Sequence, residues 1–424
     1  MSSKKETNPN ISHDARSNFG KRGWWIVIFS LLMWTVVCAM TNVSLNIVVP
    51  AKAEVIGVDQ GVLLTWSTPA KLISLVVTLF FAKLAEKKGV KLANGILLIL
   101  SVVFIAFWGS STTETMYALG LILMYSTVST IELTGGNLFI SNWFPRKKGI
   151  AIGWATMGAP LASLVGASLL MKLSGRFGGI DKALYIIAGF VAVLAILNFT
   201  TIKNYPEECG CYPDNDPNSP KREEMVLHTG WTWKKVLAVK ETWLLGIANG
   251  LIGISTFCLV TTLVPMMVMK GYGENAGLLA LTLCAILGFV GSYLFGYLDQ
   301  RWGTKPAVIL LSVIILGGIA FFFIPGCIWV FVVINACLTG ATSNVPLSTT
   351  VSVFGRDGSQ VALPIISVIK NALIAFSYGI MGISLSKTGS YGAGWIIVAV
   401  LTAIMLVLFI ICNFNQKKDP IEND

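Results

Sequence analysis

The chain has 424 residues, of which 54% are hydrophobic and only 12% are charged. Soluble globular domains carry about 25% charged residues, so this composition excludes an ordinary soluble protein. The formal net charge of +10 does not indicate nucleic acid as a partner, because most of the basic residues lie in the termini and in alternate loops between apolar segments.

The apolar residues are grouped in long blocks. A helix that spans a bilayer needs about 20 mainly apolar residues, and lipid offers the backbone no hydrogen-bond partners, so such blocks are expected to be helical. The sequence therefore predicts an all-α protein whose surroundings are the lipid bilayer. We predict twelve transmembrane helices, α1 to α12 in chain order, over 24–49, 60–82, 92–109, 116–140, 149–173, 183–201, 243–269, 275–298, 306–325, 328–348, 362–386 and 391–413.

The basic residues mark one side of the membrane. Of the 31 Lys and Arg, 23 lie in the two termini and in the loops that follow even-numbered helices, six lie in the other loops or at their edges, and two lie well inside apolar blocks. Basic loops stay in the cytoplasm, so we predict a multi-pass protein of the inner cell membrane with both termini in the cytoplasm.

A polar segment between α6 and α7 divides the chain. It is rich in Pro, Gly, Asn and Asp, which favour turns over packed structure. We predict a cytoplasmic tail at 1–23, a six-helix bundle at 24–203, a cytoplasmic central loop at 204–242, a second six-helix bundle at 243–413 and a cytoplasmic tail at 414–424.

Three ionisable side chains lie inside apolar blocks, where each costs about 2.5–3.5 kcal/mol near the bilayer centre and is therefore a functional candidate. Lys71 in α2 shares a polar stripe with Ser67 and Ser74, which suits contact with a substrate or pairing with an acid. Glu132 in α4 suits either proton coupling or an ion pair with Lys71. Lys370 in α11 suits a substrate contact, an ion pair, or a side chain that extends to the membrane surface.

Neutral polar and aromatic side chains complete the predicted binding site. Transporters built from repeated halves bind substrate near the bilayer midplane, between the halves. For each candidate, the alternative is an ordinary hydrogen bond between helices. The candidates are Trp34 and Asn42 in α1, Tyr125 in α4, Asn249 in α7 and Asn335 in α10.

Two loops half a chain apart are similar. The α2–α3 loop contains AKLAEKKGVK over 82–91, and the α8–α9 loop contains GYLDQRWGTK over 296–305. A repeat at this spacing is expected when two halves of a transporter share one topology. The residues singled out by this similarity are Glu86, Lys87 and Gly89 in the first loop and Gly296, Asp299, Arg301 and Gly303 in the second.

Both loops resemble, in weakened form, the G-x-L-x-D-R-x-G-R-K signature of the major facilitator superfamily. Glu86 takes the place of the acidic residue in the first loop, whereas in the second Gln300 takes that place and Asp299 lies one position earlier. The resemblance implies two pseudo-symmetric six-helix bundles. It also implies that these loops influence the balance between inward-facing and outward-facing states.

A second resemblance concerns NWFPRKKG over 142–149 and YPEECGCYPDND over 205–216, which are similar to the oxalate:formate antiporter and monocarboxylate-transporter branch. It implies that Lys370 lies against a substrate carboxylate. The oxalate carriers of that branch also have an arginine in α8, but no Lys or Arg lies between Lys270 and Arg301, which favours a monocarboxylate or zwitterion over oxalate.

Three glycines are expected to pack α5 closely against its neighbours. They are Gly149, Gly153 and Gly158.

Motifs for catalysis and for cofactors are missing from the sequence. The two histidines lie in polar segments, Cys209 and Cys211 lack further metal ligands nearby, and no phosphate-binding G-x-x-x-x-G-K-[ST] loop occurs. We therefore expect no enzyme activity, no metal, no cofactor and no pumping driven by ATP.

These features together predict a monomeric secondary transporter. Its expected substrate is a small carboxylated anion, monocarboxylate-like, moved by proton symport or anion exchange with alternating access between the bundles. One alternative is an uptake or efflux carrier for larger amphipathic carboxylates, such as bile-acid-like or drug-like compounds. An alternative of another class is a membrane sensor that does not transport.

Overall fold

The computed structural model describes residues 18–217 and 230–417, and the predicted blocks are helices throughout. Within these residues, eleven helices are long and apolar enough to cross a bilayer, and a bent pair forms a twelfth. The prediction of an all-α membrane protein with twelve spans is confirmed. The spans are α1 Gly20–Val43, α2 Gln60–Lys88, α3 Val90–Gly109, α4 Glu114–Trp143, α5 Ile150–Phe177, α6 Ile180–Thr201, α7 Lys240–Met269, α8 Glu274–Trp302, α9 Thr304–Phe323, α10 Ile328–Thr342 with Asn344–Gly355, α11 Val361–Thr388 and α12 Gly392–Ile411.

Local sequence determines where several helices begin and end. After Val43 the chain continues as a helix over Leu45–Ile56, which ends at Gly57 in a left-handed conformation. The carboxylate of Asp59 accepts a hydrogen bond from the Gly61 amide at 2.8 Å and so caps the start of α2. Thr113 caps the start of α4 in the same way.

The two halves of the chain are structural repeats. Three consecutive helices in the second half begin 214 residues after their counterparts: Glu274 after Gln60, Thr304 after Val90, and Ile328 after Glu114. Gly89 and Gly303 have the same offset and the same backbone conformation, with φ of +92° and +86°. A side chain is strained at such φ values, so glycine is required at both turns. The repeat predicted from the two loops is confirmed.

Three helices of the first bundle contain a π-helical segment. The segments are Ala39–Val43 in α1, Glu132–Leu138 in α4 and Ala162–Gly166 in α5. A π turn holds one residue more than an α turn, which redirects the side chains that follow, and it often occurs at functional sites. In the second bundle, α10 is bent by 42° between Thr342 and Asn344.

The bundles meet closely at one end. We call the end with the α2–α3 and α8–α9 loops the basic end, and the other the opposite end. Toward the opposite end, Asn46, in the helix Leu45–Ile56 that follows α1, donates to Val260 O of α7 at 2.9 Å and accepts from Val264 N at 3.2 Å. Gly61 of α2 and Gly382 of α11 are in backbone contact, because a Cβ added at Gly382 would lie 2.5 Å from Gly61 O. The bundles are therefore closed against each other at the opposite end.

The first part of the central loop is packed, contrary to the expectation from its turn-forming residues. Asp214 is only 1% exposed, and its carboxylate accepts hydrogen bonds from Arg146 N at 3.0 Å and Lys147 N at 2.8 Å. Trp143 Nε1 donates to Lys203 O at 3.1 Å. Turn residues determine the path of the backbone, but their side chains still supply acceptors for the amides of the α4–α5 turn, which would otherwise be unpaired.

Candidate functional site

The three intramembrane charges come together between the bundles. Glu132 interacts electrostatically with both Lys71 and Lys370, and the two lysines also interact with each other. All three side chains are half-buried, and no nitrogen–oxygen distance of 4.0 Å or less joins Glu132 to either lysine. In the described part of the chain, the one ion pair at such a distance is Lys417 with Glu241, at 3.0 Å. Lys71 and Glu132 thus share a site without forming the direct pair that was one of the two predictions.

Lys71 is held by aromatic side chains from both bundles. Its Nζ lies 3.4 Å from Tyr125 OH and 4.7 Å from the centre of the Phe257 ring. An ammonium over a ring face is attracted by the quadrupole of the ring. The polar stripe that contains Lys71 faces α4 and not lipid, because Thr78 Oγ1 lies 2.9 Å from Thr130 Oγ1.

A pair of tyrosines joins the bundles beside Lys71. The hydroxyls of Tyr125 and Tyr378 are 2.9 Å apart, and both residues are buried, at 1% and 0% exposure. Tyr378 OH also lies 3.4 Å from Asn42 Oδ1 and 3.4 Å from Thr41 O, both in the π-helical segment of α1. Tyr378 was not among the site residues predicted from the sequence. Its position eight residues after Lys370, on the same face of α11, was the signal that pointed to it.

The remaining predicted binding residues divide into two groups. Trp34 lies beside the π-helical segment that begins at Glu132, because a Cβ added at Gly136 would be 2.8 Å from Trp34 Nε1. Asn249 instead donates to Thr349 Oγ1 at 3.2 Å, and Asn335 donates to Phe331 O at 2.9 Å. Both of these bonds lie within the second bundle, so the structure does not bring Asn249 or Asn335 into the charged group.

The α8–α9 loop is attached to its own bundle. Ser348 Oγ of α10 donates to Asp299 Oδ2 at 2.5 Å, and Arg301 donates to Tyr297 OH at 2.7 Å. Lys305 Nζ, from the last residue of the motif, donates to Ile410 O at 2.7 Å at the end of α12. In the last turn of α2, the predicted conformational residues Glu86 and Lys87 are exposed.

The predicted packing glycines differ from one another. A Cβ added at Gly158 would lie 2.8 Å from Thr35 N, so α5 packs closely on α1 there. At Gly153 an added Cβ would have nothing within 4 Å, and the same is true of Gly296 in α8. Gly153 therefore makes no close contact with a neighbouring helix in this structure, and its packing role stays a prediction. The surroundings of Gly149 lie outside what the structure describes.

The cysteines of the central loop lie beside its packed segment. Partial burial, together with Cys209, raises the pKa of the Cys211 thiol above its usual value. In the two stretches that the structure describes, no group of three or more His, Cys, Asp and Glu residues is arranged to hold a metal ion.

The structure has two repeated six-helix bundles with charged side chains between them. This arrangement is typical of proteins that transport small molecules across a membrane. The family model described as Major Facilitator Superfamily matches residues 128–376, more than half of the chain. The protein belongs to the Major Facilitator Superfamily, as the loop motifs predicted. The narrower resemblance to the oxalate:formate and monocarboxylate branch stays a prediction.

Solved structures of other transporters have the same fold. A bacterial homologue of the human lysosomal transporter Spinster, in an inward-facing and occupied conformation, matches with a TM-score of 0.71 and 14% identity over 92% of this chain and 96% of that one. The nucleoside transporter NupG matches with a TM-score of 0.68 and 13% identity over 91% of this chain and 99% of that one. No curated protein matches the chain in sequence.

Proposed function

We propose that this transporter carries a small organic monoanion, monocarboxylate-like, across the cell membrane by alternating access between its bundles. The observation that carries the proposal is the grouping of two lysines and one glutamate in one region between the bundles, without a direct ion pair. With Lys71 and Lys370 protonated and Glu132 ionised, these three side chains sum formally to one positive charge. A net charge inside the membrane is costly, and one carboxylate on the substrate balances it.

The surroundings of the charges favour a substrate with an apolar body. Rings of Tyr125 and Phe257 lie beside Lys71, and Trp34 lies beside the segment that begins at Glu132. The same aromatic surface supports a second candidate substrate, a larger amphipathic carboxylate, in which the lysines hold the acid group and the rings contact the body. Proton symport and anion exchange are both compatible with this site.

The closed opposite end implies access from the basic end. The predicted topology assigns the basic loops to the cytoplasm, so we propose that this conformation is inward-facing. Alternating access then requires the contacts of Asn46 and Gly61 with the second bundle to separate when the site opens to the other side.

The proposal is tested by counterflow in proteoliposomes with labelled formate, acetate, benzoate and oxalate. Lys370→Ala should weaken transport of the preferred monocarboxylate about 10- to 100-fold, because a hydrogen bond to a charged group is lost, and Lys370→Arg should retain most activity. Lys387→Ala is the matched control, since Lys387 lies on the same helix and is exposed. Normal anion transport by Lys370→Ala would refute the assignment of the anchor.

A further inference from the structure

Lys71, Tyr125 and Tyr378 form a hydrogen-bond chain whose direction is determined by the chemistry of its ends. An ammonium only donates, so Tyr125 OH accepts from Lys71 Nζ at 3.4 Å. At the other end, Asn42 Oδ1 and Thr41 O accept from Tyr378 OH, each at 3.4 Å. Tyr125 must therefore donate to Tyr378 across the 2.9 Å between their hydroxyls.

One link of this chain comes from the second bundle. Lys71 lies in α2, Tyr125 in α4 and Asn42 in α1, all in the first bundle, whereas Tyr378 lies in α11 of the second. Tyr378 thus inserts its hydroxyl between two helices of the other bundle. Both tyrosines are almost fully buried, so breaking the link between their hydroxyls without the entry of water would leave the hydroxyl proton of Tyr125 without an acceptor.

We propose that Tyr378 is a positioning residue for the substrate site, which acts on Lys71 through Tyr125. While the opposite end is closed, these hydrogen bonds hold the Lys71 ammonium against Tyr125 and Phe257, next to Glu132 and Lys370. When the bundles separate at that end, Tyr378 withdraws with α11 and Lys71 loses this restraint. The inference rests on the proposed function, since it assumes that Lys71 contacts the bound anion.

This arrangement makes affinity for the anion depend on the conformation. Lys71 is held in place while the substrate site faces the basic end. It is released when the site faces the opposite end. A restrained ammonium binds a carboxylate more tightly than a mobile one, because less side-chain entropy is lost on binding. The transporter is therefore expected to bind its substrate more tightly at the basic end than at the opposite end.

The first test is a double-mutant cycle, with the affinity for labelled formate, acetate and benzoate measured on the purified protein in nanodiscs. Tyr378→Phe keeps the ring and removes the hydroxyl, and it should weaken binding about 3- to 10-fold. In a Lys71→Met background, the same substitution should have no further effect, because the residue acts through Lys71. Tyr117→Phe is the matched control, since Tyr117 lies in α4, is fully buried and packs on Trp108 away from the site. Equal losses from Tyr378→Phe in both backgrounds would overturn the inference.

The second test needs no substrate. Hydrogen–deuterium exchange of the segments 41–46 and 377–386 should be faster in Tyr378→Phe than in the wild type, because a bond between the bundles is lost. Unchanged exchange in both segments would overturn the role of Tyr378 even if the transported compound is not a carboxylate. Conversely, faster exchange in a protein that binds no carboxylate would count against the proposed substrate and not against the hydrogen bonds from Lys71 to Tyr378.

Discussion

The contact between Gly61 and Gly382 predicts how strongly one methyl group shifts the conformational equilibrium. A Cβ at Gly61 would lie 2.7 Å from Ser386 N and closer still to Gly382 O. These are backbone atoms of α11, so no change of rotamer relieves the overlap. Ordinary contact between heavy atoms is about 3.5–4.0 Å, and α2 and α11 must therefore move apart by about 1 Å.

Overpacking of this kind costs about 1–3 kcal/mol. The cost applies to the state that is closed at the opposite end, and it is relieved where the helices separate. Gly61→Ala should therefore shift the population away from the closed state about 5- to 150-fold. Gly382→Ala should act in the same direction, because its Cβ would lie 3.0 Å from Thr65 N.

Hydrogen–deuterium exchange measures this shift directly. Segments 60–65 and 382–386 should exchange faster in Gly61→Ala than in the wild type, and transport should be slower because one state is depleted. Gly317→Ala is the control, since a Cβ at Gly317 would have nothing within 4 Å. Unchanged exchange in both segments in Gly61→Ala, or an equal rise in Gly317→Ala, would refute the predicted effect of the contact between Gly61 and Gly382.

Three further substitutions test other parts of the structure. Glu132→Gln raises the charge of the central site by one, so competition assays should show a shift in preference from monocarboxylates to dicarboxylates; an unchanged preference would contradict the charge balance. Lys52→Met removes the ammonium that donates a hydrogen bond to Gly109 O at 2.5 Å, at the end of α3, and it should lower the free energy of unfolding by about 1–3 kcal/mol. Thermal unfolding measures this loss, and Lys182→Met, at an exposed lysine, should show none. Asp214→Asn weakens the acceptor for two amides of the α4–α5 turn and should speed proteolysis of the central loop. Glu207→Gln, at an exposed residue of the same loop, is the control, and equal proteolysis rates for the two variants would count against a role for this contact.

Sequence alone determined the architecture of this protein. Blocks of about 20 apolar residues have one stable form in lipid, which is the helix, so twelve spans followed directly from composition. The loops around Gly89 and Gly303 revealed the repeat because a turn between two helices at positive φ requires glycine in both halves. Lys71, Glu132 and Lys370 were recognisable as candidates because charge inside an apolar block is costly wherever the helices lie.

Tertiary structure decided which of these residues meet. Helical periodicity assigns a side chain to a face, but it does not say which face of another helix lies opposite. Asn249 and Asn335 had the same sequence signal as Asn42, yet only Asn42 contacts the charged group through Tyr378. Tyr378 carries no charge that would distinguish it in an apolar block. Its importance arises from a contact between α4 and α11, which are separated by more than 200 residues and come together only when the two bundles pack against each other.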